Sequence, residues 1–331
     1  MGFSNTSHSA HSGSTDAVLI ALPSSAYAKP LGAMPEQRPV HVSNVPKGFD
    51  LLAIDSQKHR LLAAHTKAGT LSIIDLNERQ PLAEVPVGEA ADVAVDKADN
   101  DYLVSTTKGV VLVDRTTLKK AAEIPTEGPA DAVAFDTKDD LLFVGHDDAK
   151  EIWVMDPRQR RVVSHIAISG APEIMQIDPS TRRLYVNIKT ENKVAVIDLR
   201  TDKVTAYWST DPTVSPHGLA LDMSSRRLFV AGRSEFVSIF SLDSGKKLGT
   251  IDVGPGHIDQ IAYDPVNDTL YCPDNGRLIV VTDASRHPTV SQSLAIPKKT
   301  HSATLDPQTR AVWIAYADSH GSFVRPLSPR G

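Results

Sequence analysis

The chain has 331 residues but only one cysteine, Cys272, and its aromatic residues make up just 5% of the total. A single cysteine excludes an intramolecular disulfide, and its place between Tyr271 and Pro273 is typical of a small buried side chain. No apolar run approaches the ~20 residues that a membrane-spanning helix needs. The formal net charge of −5 argues against a nucleic-acid partner held by a basic surface.

Several catalytic and cofactor-binding signatures are also missing from the sequence. It has no Cys-x-x-Cys-His haem attachment site and no glycine-rich phosphate loop, so we expect neither haem nor a nucleotide. It has no His-Glu-x-x-His zinc helix, and no serine lies in a Gly-x-Ser-x-Gly elbow. The sequence therefore carries no recognised catalytic signature.

The first 28 residues differ in composition from the rest of the chain. Residues 1–16 are rich in Ser, His, Gly and Asn, and an apolar run at 17–22 then precedes Ala26-Tyr27-Ala28. This order resembles the hydrophobic region and the cleavage site of a secretory signal, although no Lys or Arg comes before it. We expect residues 1–28 to be a signal peptide, with a disordered tail as the alternative. The mature protein would then be periplasmic or secreted.

Seven short segments, each ending in an aspartate after an alternating apolar run, recur along the chain. Successive aspartates are 41, 40, 42, 44, 42 and 42 residues apart. We call them the anchor aspartates: Asp55, Asp96, Asp136, Asp178, Asp222, Asp264 and Asp306. Further β-branched runs with period-two alternation and polar turns follow each of them. This period, with four strands and no helical pattern, is typical of propeller blades.

The repeats predict an all-β fold, a seven-bladed β-propeller of four-stranded blades that occupies residues 39–331 as one domain. The last repeat supplies only three strand-like segments before the chain ends. Residues 39–44, which precede the first repeat, are predicted to be its fourth strand. Pairing the two termini in one blade removes an open sheet edge.

The repeats resemble the YVTN or YncE-like family of bacterial β-propeller proteins. The resemblance rests on residues 182–204 (RRLYVNIKTENKVAVIDLRTDKV), on residues 128–156 and on the Pro-His-Gly turn at 216–218. It implies an exported seven-bladed propeller. Similar propellers include metal-dependent lactone hydrolases as well as proteins that only bind partners, so the resemblance implies no mechanism.

One column of the repeat is rich in ionisable side chains. The residue just before the innermost strand of a blade lies at the mouth of the central channel, and we take the residue five before each anchor aspartate. We call this set the mouth column: Asp50, Ala91, Asp131, Glu173, His217, Asp259 and His301. Six of the seven are Asp, Glu or His, although these types make up about one in six residues of the chain.

Two structural explanations compete with a functional one for the mouth column. The first is that aspartates favour the turns that precede strands. The second is that a wide channel is filled with water, so that polar side chains there are merely solvated. Neither explains His217 and His301, nor carboxylates placed where they repel one another. The six ionisable residues suit one divalent transition-metal ion, whereas carboxylates and carbonyls alone would suit Ca²⁺. His217 or His301 can instead act catalytically, as a general base.

Turns between the second and third strands of the repeats should emerge on the same face as the mouth column. They carry further polar residues, including Asp147, Asp148, Lys189 and Arg233. The candidate ligand-binding residues of this face are His65, His146, His257, Asp274 and His320. Each alone is typical of a solvated turn, but together they mark the face on which to expect a ligand. The anchor aspartates are interpreted as turn formers without chemistry.

The sequence leaves two functions open. One is a ligand- or metal-binding site at the channel mouth, which in a hydrolase would polarise a lactone or ester carbonyl. The other is a non-enzymatic module that presents its turns to a protein or cell-envelope partner. For either function we expect a monomer that binds a small molecule or a protein at the channel-mouth face, without nucleic acid and without a membrane span.

Overall fold

Every repeat folds into a four-stranded antiparallel sheet, as a computed structural model shows. The structure describes residues 1–2, 37–147 and 149–327, and all its strands belong to the compact unit Leu31–Gly331. Residues 3–28 of the expected signal peptide, and Asp148, lie outside the described residues. No helix in the described part of the chain is long and apolar enough to cross a membrane.

The first strand of the chain, β1 (Val40–Ser43), belongs to the last blade, and blades 1 to 6 follow in sequence order. Blade 1 consists of β2 (Leu52–Asp55), β3 (Arg60–His65), β4 (Thr70–Asp75) and β5 (Gln80–Pro86). Blade 2 consists of β6 (Ala90–Asp96), β7 (Asp101–Thr106), β8 (Gly109–Asp114) and β9 (Lys119–Pro125). Blade 3 consists of β10 (Ala130–Asp136), β11 (Leu141–His146), β12 (Glu151–Asp156) and β13 (Arg161–Ala167). Blade 4 consists of β14 (Pro172–Asp178), β15 (Arg183–Ile188), β16 (Lys193–Asp198) and β17 (Lys203–Ser209). Blade 5 consists of β18 (Pro216–Asp222), β19 (Arg227–Gly232), β20 (Phe236–Ser241) and β21 (Lys247–Asp252). Blade 6 consists of β22 (Ala262–Asp264), β23 (Thr269–Asp274), β24 (Arg277–Thr282) and β25 (Thr289–Ala295). A three-residue 3₁₀ helix, Thr66–Ala68, joins β3 to β4.

Blade 7 combines the two ends of the chain. It contains β26 (Ala303–Leu305), β27 (Val312–Asp318) and β28 (Gly321–Leu327), and β1 pairs with β28 as its outer strand. In this pairing Val40 lies opposite Val324 and His41 lies opposite Phe323. The prediction of seven blades with a composite last blade is confirmed.

Burial along the strands follows their position in the blade. In blade 4 the second strand, β15, has five consecutive buried residues, whereas the outer strand, β17, alternates between exposed and half-buried residues. The middle strands are covered on both faces because each blade lies between two neighbours, and the outer strand borders solvent. Apolar side chains of adjacent blades form one cluster at each of the seven seams, such as Leu103 and Leu112 of blade 2 with Trp153 of blade 3. Cys272 is fully buried, as expected.

The anchor aspartates shape the turn between the first and second strands of each blade. Oδ1 of Asp55, for example, accepts backbone hydrogen bonds from Gln57 and Lys58, both of 3.1 Å. The residue four positions after each anchor has a positive φ of between 46° and 63°, and these residues are His59, Asn100, Asp140, Arg182, Arg226, Asp268 and Arg310. A type I turn followed by one left-handed residue is a common way to join antiparallel strands. The anchor aspartates are therefore turn formers, as expected.

The same aspartates also join neighbouring blades, which was not expected. Arg182 of blade 4 donates to Asp136 of blade 3 at 2.6 Å, and Arg226 of blade 5 donates to Asp178 of blade 4 at 2.8 Å. Arg310 does the same for Asp264, Arg115 for Asp55, and the hydroxyl of Tyr263 for Asp222. At the closing seam, Nε2 of His59 lies 2.9 Å from Oδ2 of Asp306. Six of the seven seams thus carry a polar link to an anchor aspartate.

The seam between blades 2 and 3 differs from the other six. The position that holds a cation in Arg182 and Arg226 holds Asp140 here, and Oδ2 of Asp96 is buried without a hydrogen bond from the described residues. Burial raises the pKa of Asp96, although its backbone hydrogen bonds oppose this, and the charge of Asp140 adds to the rise. This seam therefore brings two carboxyl groups together where the others pair a carboxylate with a donor.

We expect Asp140→Arg to stabilise the protein, because it supplies the missing donor to Asp96. The left-handed backbone at this position accepts arginine in blades 4, 5 and 7. A hydrogen bond to a charged group contributes about 2 kcal/mol, and the free energy of unfolding in urea should rise by about that amount. Asp140→Asn is the control, because both variants remove the negative charge and its 3.0 Å ion pair with Arg158, but only the arginine supplies a cationic donor to Asp96. An arginine variant no more stable than the asparagine variant would contradict this role of the anchor position.

Candidate functional site

The structure brings the six ionisable residues of the mouth column to the wall of one cavity. Its volume is about 480 Å³, and Asp50, Asp131, Glu173, His217, Asp259 and His301 all line it. They meet because each lies at the start of the inner strand of a different blade, where the backbone is closest to the channel axis. Asp131, Glu173 and His217 are the second residue of that strand, whereas Asp50, Asp259 and His301 precede it by two or three residues. Residues from the second turns and connecting loops complete the wall, namely Lys67, Asp147, Lys189, Arg233 and Lys299.

The mouth cavity ends at an apolar floor. Leu51 lines this cavity, is 5% exposed, and joins the apolar cluster of blades 4 and 5 on the opposite side of the channel. The next residue, Leu52, lines a second cavity at the other end of the channel. The amide of Gln260 closes the channel at the same level, since it donates to the Leu52 carbonyl at 2.8 Å and accepts from its N–H at 3.0 Å.

His217 is held in one tautomer. Its Nδ1 lies 2.6 Å from the carbonyl oxygen of Ser215, and because a carbonyl oxygen only accepts, Nδ1 carries the proton. Burial lowers the pKa of His217, which favours a neutral ring at neutral pH. The lone pair of the neutral ring is then on Nε2, 3.5 Å from Oε1 of Glu173. Two hydrogen-bond acceptors face each other here unless a proton or a cation lies between them.

Asp259 lies among three imidazole rings. Its Oδ2 is 2.9 Å from Nδ1 of His301, and its Oδ1 is 3.2 Å from Nε2 of His257. The ring of His257 is 6.5 Å from each of the rings of His217 and His301. Burial acts to raise the pKa of Asp259, but the hydrogen bond to His301 and the charges of the imidazoles lower it below its ordinary value.

The backbone fixes His301 relative to Asp259. The N–H groups of Asp259 and Gln260 both donate to the carbonyl oxygen of His301, at 3.2 and 3.0 Å. With Nδ1 of His301 bound to the carboxylate, the neutral ring has Nε2 as its acceptor. This carboxylate–imidazole pair is the arrangement that general bases use to accept a proton.

Three carboxyl groups of blades 3 and 4 form the most compact acidic group among the described residues. Asp131, Asp147 and Glu173 each offer an oxygen within 4.8 Å of the other two. The ammonium group of Lys189 binds two of them, at 2.5 Å from Asp147 and 2.7 Å from Glu173. The chain itself therefore supplies one cation to this group, and a metal ion in the same place would have to displace it.

Three acids of the mouth, Asp50, Asp131 and Glu173, are costly to ionise, in contrast to Asp259. Burial raises the pKa of Asp131 to about 8, and the charges of Glu173 and Asp147 add to the rise. Burial also raises the pKa of Asp50 well above its ordinary value, with a further contribution from Asp131. The pKa of Glu173 is raised by burial even though Lys189 acts to lower it. A bound cation would relieve this repulsion.

Asp92, next to Ala91, is a buried acid that the sequence interpretation missed: it does not line the mouth cavity, but it is close enough for its charge to interact with Asp131 and Asp50. Its carboxylate accepts hydrogen bonds from Val133 of blade 3, at 2.9 Å, and from Val93, at 2.7 Å. Burial raises the pKa of Asp92 to about 7, although both hydrogen bonds act to lower it. In the sequence Asp92 is one residue after the mouth-column position, so a fixed offset of five residues before each anchor aspartate does not select it.

Two of the candidate ligand-binding histidines are packed away from the cavity, so the expectation for them is corrected. His65 is 0% exposed, stacks on Phe49, and has Nε2 2.9 Å from the Lys47 carbonyl. His146 stacks on Trp153 with ring centroids 4.2 Å apart. Both end the second strand of their blade. Nε2 of His65 lies 3.0 Å from the Ser322 hydroxyl of blade 7, whereas His146 contacts Trp153 and Glu151 of its own blade, and neither histidine lines the mouth cavity.

The remaining candidates lie in different places on the same face. His257 contacts the mouth column, since its Nε2 lies 3.2 Å from Oδ1 of Asp259, and it also lines an adjacent groove. Asp274 lines that groove, is 5% exposed, and accepts hydrogen bonds from Arg277 and the His257 N–H. His320 is exposed in the β27–β28 turn and does not line the mouth cavity. Of these five residues, only His257 contacts the mouth column.

Comparison with known proteins supports the fold and the family resemblance. No family model matches the chain. The proteins YncE of Salmonella typhimurium and Salmonella typhi, both described as uncharacterized, are each 23% identical over 193 residues. That alignment covers 58% of this chain and 50% of theirs, so the chain spans about half the length of these curated relatives. The predicted resemblance to YncE-like propellers is confirmed.

A solved structure extends the likeness to most of the chain. Kuenenia stuttgartiensis hydrazine synthase superposes with a TM-score of 0.75 over 87% of this chain and 97% of that chain. The two sequences are 15% identical, and at this level the likeness is one of fold alone.

We expect Asp92 and Asp131 to make the protein less stable as pH rises from about 4 to 8. A carboxyl whose pKa is higher in the folded than in the unfolded state keeps its proton longer when folded, so stability falls across the interval between the two values. For Asp92 and Asp131 that interval runs from 3.8 to about 7 and about 8. Asp131→Asn should flatten the profile of unfolding free energy against pH between 5 and 8.5. Identical profiles for the two proteins would contradict the pKa shift.

Proposed function

We propose that the channel mouth is a ligand-binding site that holds a divalent cation between His217 and Glu173. The observation that carries the proposal is the pair of facing acceptors, Nε2 of His217 and Oε1 of Glu173, 3.5 Å apart. Two ligands of one metal ion stand at about this separation, since each lies roughly 2.0–2.2 Å from the ion. The raised pKa values of Asp50 and Asp131 indicate that the surrounding cluster favours added positive charge.

The donor set suits a transition metal. A metal-bound imidazole commonly donates its other ring N–H to a backbone carbonyl, as His217 does to Ser215. One imidazole with several carboxylates favours Zn²⁺ or Mn²⁺ over Ca²⁺, which prefers oxygen ligands alone. Oxygens of Asp131 and Asp147 lie within 4.8 Å of the Glu173 carboxylate and can complete the set. Lys189 competes with the ion for Glu173 and Asp147.

Hydrolysis of a lactone or ester is the activity that we propose for the site. A bound ion would polarise a carbonyl group and lower the pKa of water. His301, oriented by Asp259, can accept a proton at Nε2, and Arg233 and Lys299 can attract an electron-rich substrate to the cavity. The division of roles makes His217 a ligand and His301 a base, a choice that the sequence left open.

Export from the cell is part of the proposal and rests on residues 17–28 alone. The mass of the protein recovered from a periplasmic fraction, measured intact, tests it: loss of about 28 residues supports export, and a full-length cytoplasmic chain contradicts it.

We expect untagged protein to bind one Mn²⁺ or Zn²⁺ ion, measured by calorimetry and by elemental analysis. Because they remove one ligand each, His217→Ala and Glu173→Gln should weaken the affinity at least about tenfold. Lys189→Met should strengthen it, since the competing ammonium is gone. His320→Ala is the matched control, because His320 is an exposed histidine on the same face outside the cavity. Equal affinities in the wild type, His217→Ala and His320→Ala would contradict the site.

We expect metal-loaded protein to hydrolyse members of a panel of lactones and esters. His301→Ala and Asp259→Asn should lower kcat by about a hundredfold, because proton transfer by a positioned base contributes that much, and should leave Mn²⁺ affinity nearly unchanged. Turnover that persists in both variants would exclude His301 as the base. Metal binding without turnover on any substrate would favour the non-enzymatic binding module.

A further inference from the structure

Charge is unevenly distributed around the mouth cavity. The compact acidic group, Asp131, Asp147 and Glu173, lies on blades 3 and 4. Three exposed cationic residues line the same cavity from other blades, and we call them the basic rim: Lys67 in the β3–β4 turn of blade 1, Arg233 after β19 of blade 5, and Lys299 in the loop that enters blade 7. In a ring of seven blades, blades 7 and 1 lie across the channel from blades 3 and 4.

Three acids of the cavity wall, Asp147, Glu173 and Asp259, have close cationic partners within the protein, whereas the two lysines of the basic rim have none among the described residues. Lys189 binds the acidic group, and His301 binds Asp259. Across the described ranges, no carboxylate forms an ion pair with Lys67 or Lys299, and Arg233 only approaches Asp259, at 4.0 Å. The positive charge of the rim is therefore left for solvent or for a ligand.

The backbone that carries the rim is tied in place. The N–H of Lys299 donates to Oδ1 of Asn275 at 2.8 Å, and the N–H of Asn275 donates to Thr300 at 2.9 Å. Lys67 lies in the short 3₁₀ helix, which Gly69 ends in a left-handed conformation with φ of 73°. Exposed cations that converge on a concave site from fixed positions focus a positive potential into it.

We propose that the molecule bound at the mouth is a small organic anion whose carboxylate or phosphate group contacts Lys67, Arg233 and Lys299. An anion in the opposite orientation would meet the acidic group of blades 3 and 4, so the charge pattern also fixes how the ligand lies. A cavity of about 480 Å³ is within the usual range for small-molecule sites. The inference rests on the proposed ligand site but not on the metal ion.

Calorimetry on untagged protein tests the anion, with and without Mn²⁺. The probes are glutarate, its uncharged diamide glutaramide, and glycerol 3-phosphate, which separates carboxylate from phosphate binding. We expect one of the two anions to bind and glutaramide not to bind. The double variant Lys67→Ala/Lys299→Ala should weaken anion affinity at least about tenfold at low salt, and less at high salt because ions screen the rim.

The control double variant is Lys138→Ala/Lys246→Ala, which removes the same charge from exposed lysines outside the cavity. We expect it to bind the anion within about twofold of the wild type. Equal weakening in both double variants, or equal binding of glutarate and glutaramide, would overturn the inference, as would the absence of any anion binding.

The two proposals fail independently. If the rim variant loses the anion but keeps Mn²⁺, the anion inference stands alongside the metal site. If no anion binds while His217→Ala loses Mn²⁺, the anion inference alone is overturned. If anions bind to the rim and no metal binds, the metal site is overturned and the anion site stands.

Discussion

The anchor aspartate is the constraint on which the rest of this propeller depends. One oxygen of its carboxylate accepts backbone hydrogen bonds that close the turn after the inner strand, as in Asp55 with Gln57 and Lys58. In six seams a donor from a neighbouring blade also reaches the carboxylate, and His59 with Asp306 closes the ring. The same side chain thus fixes the local turn and the packing of adjacent blades, which is why its spacing recurs so regularly.

The mouth follows from the same constraint. Because each inner strand ends at or next to an anchor aspartate, residues at a fixed distance before that aspartate lie at a similar height in the channel, and six ionisable side chains meet there. Leu51 and Gln260 close the channel just below them, so a through-channel becomes a cavity with an apolar floor. Substitution of the residues at the mouth can therefore change the chemistry of the cavity without disturbing the apolar clusters between the blades.

Buried negative charge sets the electrostatics of that cavity, since burial and the neighbouring carboxylates both raise the pKa of Asp50 and Asp131. The compact acidic group lies on blades 3 and 4, Lys189 offsets part of its charge, and the two lysines of the basic rim come from blade 1 and the loop into blade 7, across the channel. Neutral His217 adds a lone pair where one more positive charge would be stabilised. An arrangement of this kind costs folding stability, and costs of this kind are common at functional sites.

The sequence by itself determined the seven blades, the composite last blade and the six ionisable residues of the mouth. A repeated period places equivalent residues at equivalent positions, so counting along the chain is enough. Only the tertiary structure decided that His65 binds Ser322 and His146 stacks on Trp153 away from the mouth, that Lys189 pairs with Glu173, that Asp92 binds the backbone of blade 3, and that Arg182 and Arg226 join the blades. Apart from the Lys189 pair within blade 4 and the stacking of His146 on Trp153 within blade 3, these contacts join residues of different blades. Which residues form these contacts depends on the direction of each side chain and on closure of the ring, and the spacing of the repeat specifies neither.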